Sequence, residues 1–191
     1  MSGQGRSEGI VRLVVHGAVL AALTGAPIEV AAGEPTHGPG PNRELIKPVP
    51  QVRLGHRYAT HEVRAALRGA GERLAKPSCQ VVASEFKDVA GRPLEDALEE
   101  LGAPADEYLQ GLLFYSGSAR KQCKSHSVLA FTTPGSRIIF ICPKQFRRDY
   151  RANPPRAEFI IIHEMLHSLG LGEGPPSPEH ITSRVMANCR G

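Results

Sequence analysis

The stretch Phe159-Ile160-Ile161-Ile162-His163-Glu164-Met165-Leu166-His167-Ser168-Leu169-Gly170-Leu171-Gly172-Glu173 sets the tightest limit on what this chain can fold into. Phe159, Ile162, Leu166 and Leu169 recur at spacings of three and four, and Ile160 and Ile161 widen the stripe. That pattern predicts a helix that is buried over most of its surface. Asn153-Pro154-Pro155 precedes it, and proline is tolerated in a first helical turn, where its missing N–H is not needed. Glu158 lies early in the helix, where its charge suits the macrodipole, and Gly170 stands where a left-handed helix terminus belongs. Two imidazoles and a carboxylate on such a helix are costly to bury without partners. Positions four apart differ by about 40° of rotation, so His163 and His167 project from one face, a turn apart. That is the spacing at which two imidazoles share one tetrahedral metal ion. Glu164 is offset around the helix, able to lean over the site as a base without occupying the metal.

The pattern His163-Glu164-x-x-His167, followed by Gly170 and Glu173, resembles the motif of the zincin metallopeptidases. It is more similar to the metzincin branch, whose longer pattern is His-Glu-x-x-His-x-x-Gly-x-x-His (or Asp), with glutamate here at the last place. The resemblance spans residues 163–173. It implies an α+β fold: a small zincin-like domain with a short sheet or β-hairpin packed beside a buried metal-binding helix. It also implies Zn2+ as cofactor, held by His163, His167 and Glu173, with His180 as the alternative third ligand. The implied activity is hydrolysis of peptide bonds in a peptide or protein substrate by a zinc-activated water, with Glu164 as general base. A second electrophile usually helps the oxyanion in such chemistry, and His180, Tyr150 or Arg184 are the candidates. Two rival readings stand beside this one. One is a non-catalytic zincin-like module that binds zinc and a partner; the other is a zinc amidase acting on a non-protein, cell-wall amide.

Residues 1–32 read as a signal peptide. Arg6 and Arg12 precede a short apolar run, Leu13 to Leu23, and Val30-Ala31-Ala32 supplies small residues suited to cleavage before Gly33. The run is too short to span a bilayer comfortably, so the expectation is a secreted or periplasmic protein with no membrane contact after cleavage. Residues 33–51, rich in proline and glycine, read as a linker or short pro-segment. Residues 52–191 form the single expected folded domain, taken to be a monomer. The four cysteines, Cys79, Cys123, Cys142 and Cys189, all follow the cleavage point and predict two disulfides. The preferred pairing is Cys79–Cys123 with Cys142–Cys189, because each closes a moderate loop and the second brackets the histidine helix.

The net charge of +4 does not point to nucleic acid: basic residues are interleaved with acids, aromatic content is 5%, and there is no Trp. Lys144 to Arg151 reads as a solvated helical turn. Helices are predicted from Thr60 to about Lys76, from Leu94 to Leu101 before Gly102, beginning over Ala105 to Leu113, and after the Ser177-Pro178 cap. Met186 falls on the apolar side of that last helix. Cys79 to Phe86 reads equally as strand or short helix. Ser127–Thr132 and Arg137–Cys142 read as strands of a hairpin about Thr133-Pro134-Gly135-Ser136. His56, His61 and His126 read as surface residues.

Overall fold

The computed structural model describes residues 49–190. The expected signal peptide, and the linker up to residue 48, lie outside the described residues.

The chain is mixed α+β. Four short strands, β1 (Gln51–Arg53), β2 (Leu113–Ser116), β3 (Ala130–Phe131) and β4 (Ile138–Ile141), form a sheet in the order β1-β2-β4-β3. β1, β2 and β4 run parallel, with Val52 opposite Phe114 and Phe114 opposite Ile139; β3 closes the edge antiparallel to β4, Phe131 opposite Phe140. The expected hairpin is therefore present, shorter than its apolar residues suggest, and it is the edge of a larger sheet. Val52, Phe114, Ile139 and Ile141 are buried, as alternating strand residues with one core-facing side should be.

Seven α-helices and a 3-10 turn (Lys121–Lys124) complete the elements of the described residues: α1 (Arg57–Leu74), α2 (Pro77–Gln80), α3 (Leu94–Leu101), α4 (Ala105–Gln110), α5 (Pro143–Ala152), α6 (Pro154–Ser168) and α7 (Pro178–Cys189). α6 is central, touching α1, α5, α7, β3 and β4. That explains its all-round hydrophobicity, since a helix enclosed on every side has no solvent stripe to fill with polar residues. Asn153 caps it, its side chain accepting from the Arg156 N–H, and Ser177 caps α7 in the same way through the His180 N–H. Cys79 to Phe86 resolves as the single turn of α2 followed by further turns.

Arg73 ties three helices together. From the last turn of α1 its Nε donates to Glu158 on α6 at 2.6 Å and its guanidinium to the Cys189 carbonyl on α7 at 2.7 Å. It also lies 4.7 Å over the Phe159 ring, a cation–π contact. Glu158 thus serves a tertiary ion pair rather than only the helix dipole.

The disulfides are Cys79–Cys189 and Cys123–Cys142, which corrects the expected Cys79–Cys123 and Cys142–Cys189. Topology overrides loop length. Parallel pairing of Ser116 with Ile141 brings the end of β2 beside the end of β4. The 3-10 turn Lys121–Lys124, just past β2, then meets Cys142 at the cap of α5. α2 packs on α7, which leaves Cys79 facing Cys189. Loop-closure entropy varies only logarithmically with length, so a 110-residue separation is no obstacle. Among the described residues no helix is long and apolar enough to cross a membrane.

Candidate metal centre

His163 and His167 sit on consecutive turns of α6, 5% and 4% exposed. Their Nε2 atoms face each other at 2.9 Å, and Glu173 Oε1 stands 3.3 Å from His167 Nε2. The three residues offer ligand atoms that all lie within 4.8 Å of one another. Zinc bonds of about 2.0–2.1 Å in a tetrahedron place neighbouring donors about 3.3 Å apart, so the spacing suits a single ion. The group can hold a metal ion.

The outer hydrogen bonds of both rings suit ligation through Nε2. His167 Nδ1 lies 2.7 Å from the Leu171 carbonyl; a carbonyl only accepts, so Nδ1 carries the proton and Nε2 keeps a free lone pair. His163 Nδ1 meets the Thr182 hydroxyl at 3.0 Å; in the tautomer that donates Nδ1–H to this hydroxyl, its Nε2 also keeps a lone pair for a metal. Burial, reinforced by the neighbouring His167, lowers the His163 pKa to about 3, which keeps the ring neutral and able to ligate. Outer partners of this kind fix ring orientation and tautomer in metal sites.

The backbone positions the third donor. α6 is capped at Leu169, and Gly170 takes φ +114°, where a side chain is strained. A Cβ there would also come within 3.0 Å of Asp88 Cβ. The reversal lets Leu171 pair with Asp88 and Gly170 accept from the Val89 N–H at 3.0 Å. The chain then passes back so that Glu173, half exposed, reaches His167. On the other side the Gly135 N–H donates to the His167 carbonyl at 2.9 Å, pinning the β3–β4 turn to the end of α6. Tyr108 on α4 completes the fixture, its buried hydroxyl bridging the Ser168 carbonyl and side chain at 3.2 and 3.1 Å.

Glu164 is buried and lines the same cleft, a cavity of about 500 Å³ bordered by Leu129 to Thr132, Ile160 and Pro178. Burial first, and the Glu173 charge second, push its pKa up to about 8, opposed by the Thr132 backbone N–H. A cation at the three ligands would favour the carboxylate and pull that value back down.

Of the residues singled out in the sequence, His163, Glu164, His167 and Glu173 converge. His180 does not. It is exposed on α7, its ring edge-on to Phe86 at 6.3 Å, and it is outside the ligand group. Nor do the other proposed oxyanion partners line the cleft. Arg184 is bound to Glu85 at 2.5 and 2.8 Å, and Tyr150 packs against the core from α5. The physical reason is the same for both α7 residues: from residue 180 on, the positions that face α6 are Ile181, Thr182 and Val185, while His180 and Arg184 face Phe86 and Glu85. Met186 lies within α7, partly buried against the core. His56 caps α1, and His61 and His126 are exposed. Thr182, Thr132 and the Leu171 carbonyl contribute to the site without any sequence signal, since nothing in their residue types or spacing marks them. No family model, curated protein or solved structure matches the chain.

Proposed function

We propose that this protein is an exported zinc-dependent metallopeptidase of the zincin kind, hydrolysing peptide bonds with Glu164 as general base. One observation carries the reading: two imidazole Nε2 atoms and the Glu173 carboxylate converge within 4.8 Å, with a buried second carboxylate in the same cleft. A site that only held metal would have no use for Glu164 there. When bound, a zinc ion supplies Lewis acidity and brings a coordinated water towards neutral pKa. His163, His167 and Glu173 hold and orient, and Leu171 and Thr182 keep the two rings aligned. Glu164 takes a proton from the attacking water and returns it to the leaving amine. The cleft walls from Leu129 to Thr132 exclude bulk water on one side, which strengthens every charge interaction inside. Disulfides and the N-terminal apolar run support export.

A second reading has its own support. No cationic side chain lines the cleft among the described residues; the neutral donors are Gln122, Ser127, Thr132 and Thr182. That suits a metal-holding interaction module, or an amidase with other needs, as well as a peptidase relying on neutral donors. Metal analysis with a peptide-hydrolysis assay separates them. Glu164→Gln should retain one equivalent of zinc and lose turnover by at least about 100-fold; His163→Ala should lose both. Full turnover in Glu164→Gln, or bound zinc with no hydrolysis of any peptide library member by the wild type, would end the peptidase reading. The same two-histidine, one-carboxylate set suits ferrous iron, so the metal found by elemental analysis is part of the test.

A further inference from the structure

A basic concavity lies away from the metal cleft and shares no lining residue with it. It is a cavity of about 780 Å³ at the carboxyl ends of the three parallel strands: Leu54 follows β1, Ser118 follows β2 and Pro143 follows β4. In open sheets of parallel strands that end is where ligands bind. Two helices begin there, α1 through His56 and Ala59 and α5 through Pro143 and Lys144, and neither has an acidic residue in its first turn. Neither positive helix end therefore meets a carboxylate in its own first turn, although the neutral His56 ring accepts from the Ala59 N–H of α1. Lys144, Arg147, Arg148 and Arg151 line the same cavity.

The charges are not cancelled internally. The only carboxylate paired with these four among the described residues is Glu62, at 2.9 Å from Arg151 and 3.5 Å from Arg147. Arg148 donates to the His126 carbonyl, which leaves its charge intact. Arg147 keeps its Nε buried on the Glu62 side and its guanidinium 5.3 Å over the Tyr58 ring, contacts that hold the side chain in place along the cavity wall. Lys144 is exposed and has no ion-pair partner among the described residues. The helix of Lys144 to Arg151 is therefore more than a solvated turn: Gln145, Phe146 and Asp149 face inward, and its cations are gathered along one cavity.

We infer that this cavity is a second site, for a compact phosphate-bearing ligand, separate from the metal centre. Guanidinium forks match phosphate oxygens two at a time, and paired helix N-termini add backbone N–H donors. The cavity has the size of a small-molecule pocket, not of a strand-length groove. It offers no row of aromatic platforms on which successive bases would stack, so a nucleic acid is disfavoured.

The test uses the full chain, its metal retained, with inorganic phosphate and glycerol phosphate as probes followed by amide chemical shifts. Saturable binding is expected, with shifts concentrated at Leu54–Ala59, Ser118 and Pro143–Arg151. Lys144→Glu, an exposed position that should not disturb folding, is expected to weaken binding about 10-fold, and His163→Ala should leave it unchanged. Shifts that fail to saturate, equal binding by Lys144→Glu, or binding abolished by His163→Ala would each overturn the proposal. So would a single-stranded oligonucleotide that binds this face far more tightly than either phosphate, which would make it a polymer surface instead.

Discussion

His167 Nδ1 lies against the Leu171 carbonyl, while His163 Nδ1 meets the hydroxyl of Thr182, 19 residues further along on α7. The two rings are thus held by contacts of different kinds, and only the second can be removed by substitution. Thr182→Val should lower zinc affinity about 10-fold while the fold survives, measured by competition with a chromophoric chelator; unchanged affinity would mean that Thr182 does not orient the ring. The buried charges also predict a pH signature for the metal-free protein. His163, depressed to about 3 from 6.5, binds fewer protons folded than unfolded, so stability rises with pH across that interval. Glu164, raised to about 8 from 4.5, binds more protons folded, so stability falls as pH climbs from 4.5 to 8. The two effects oppose each other between about 4.5 and 6.5, and the Glu164 effect alone remains above. Urea unfolding in chelator should show an alkaline decline that Glu164→Gln removes. A decline of equal slope in both proteins would place it elsewhere.

α6 is the element on which the site depends, and its neighbours hold its carboxyl end from three directions. Tyr108 reaches Ser168, Gly135 reaches the His167 carbonyl, and the Asp88–Val89 turn holds the loop beyond Gly170. Tyr108→Phe should cost about 1 kcal/mol of stability, read as a lowered urea midpoint with an unchanged slope; no shift would show that the hydroxyl is not part of the fixture. This is also the scale at which the sequence was most informative. α3, α6 and α7 carry apolar periodicity and end signals such as Gly102 at φ 62° and the Ser177 cap, all local in the chain. His163, Glu164 and His167 were legible for the same reason, and Glu173 because it follows the turning glycine. β1 was not. Its partner residues lie about sixty positions away, Val52 opposite Phe114, and a parallel pairing leaves no local trace. Thr182 and Thr132 stayed hidden because they reach the site only through tertiary packing.

At the scale of the whole molecule, the Cys79–Cys189 bond links α2 to α7, and Cys123–Cys142 links the 3-10 turn past β2 to the cap of α5 that follows β4. The sequence predicted two disulfides but the loop-length argument paired them wrongly, because four cysteines admit three connectivities and the sheet order selects another. On the chain-entropy model the longer loop stabilises by about 5 kcal/mol and the shorter by about 3. Replacing Cys79 and Cys189 by serine should therefore lower the urea midpoint more than replacing Cys123 and Cys142. The reverse order, or non-reduced peptide maps joining Cys79 to Cys123, would contradict the topology. The metal centre and the basic cavity occupy separate places on this frame, so each can be removed without the other. The most direct test of the account is the zinc content of the purified full chain after dialysis, beside His167→Ala and Glu173→Ala. One equivalent in the wild type, none in His167→Ala and a sharply weakened site in Glu173→Ala is the result expected; a wild type that binds no divalent ion, or variants that bind as it does, would contradict it.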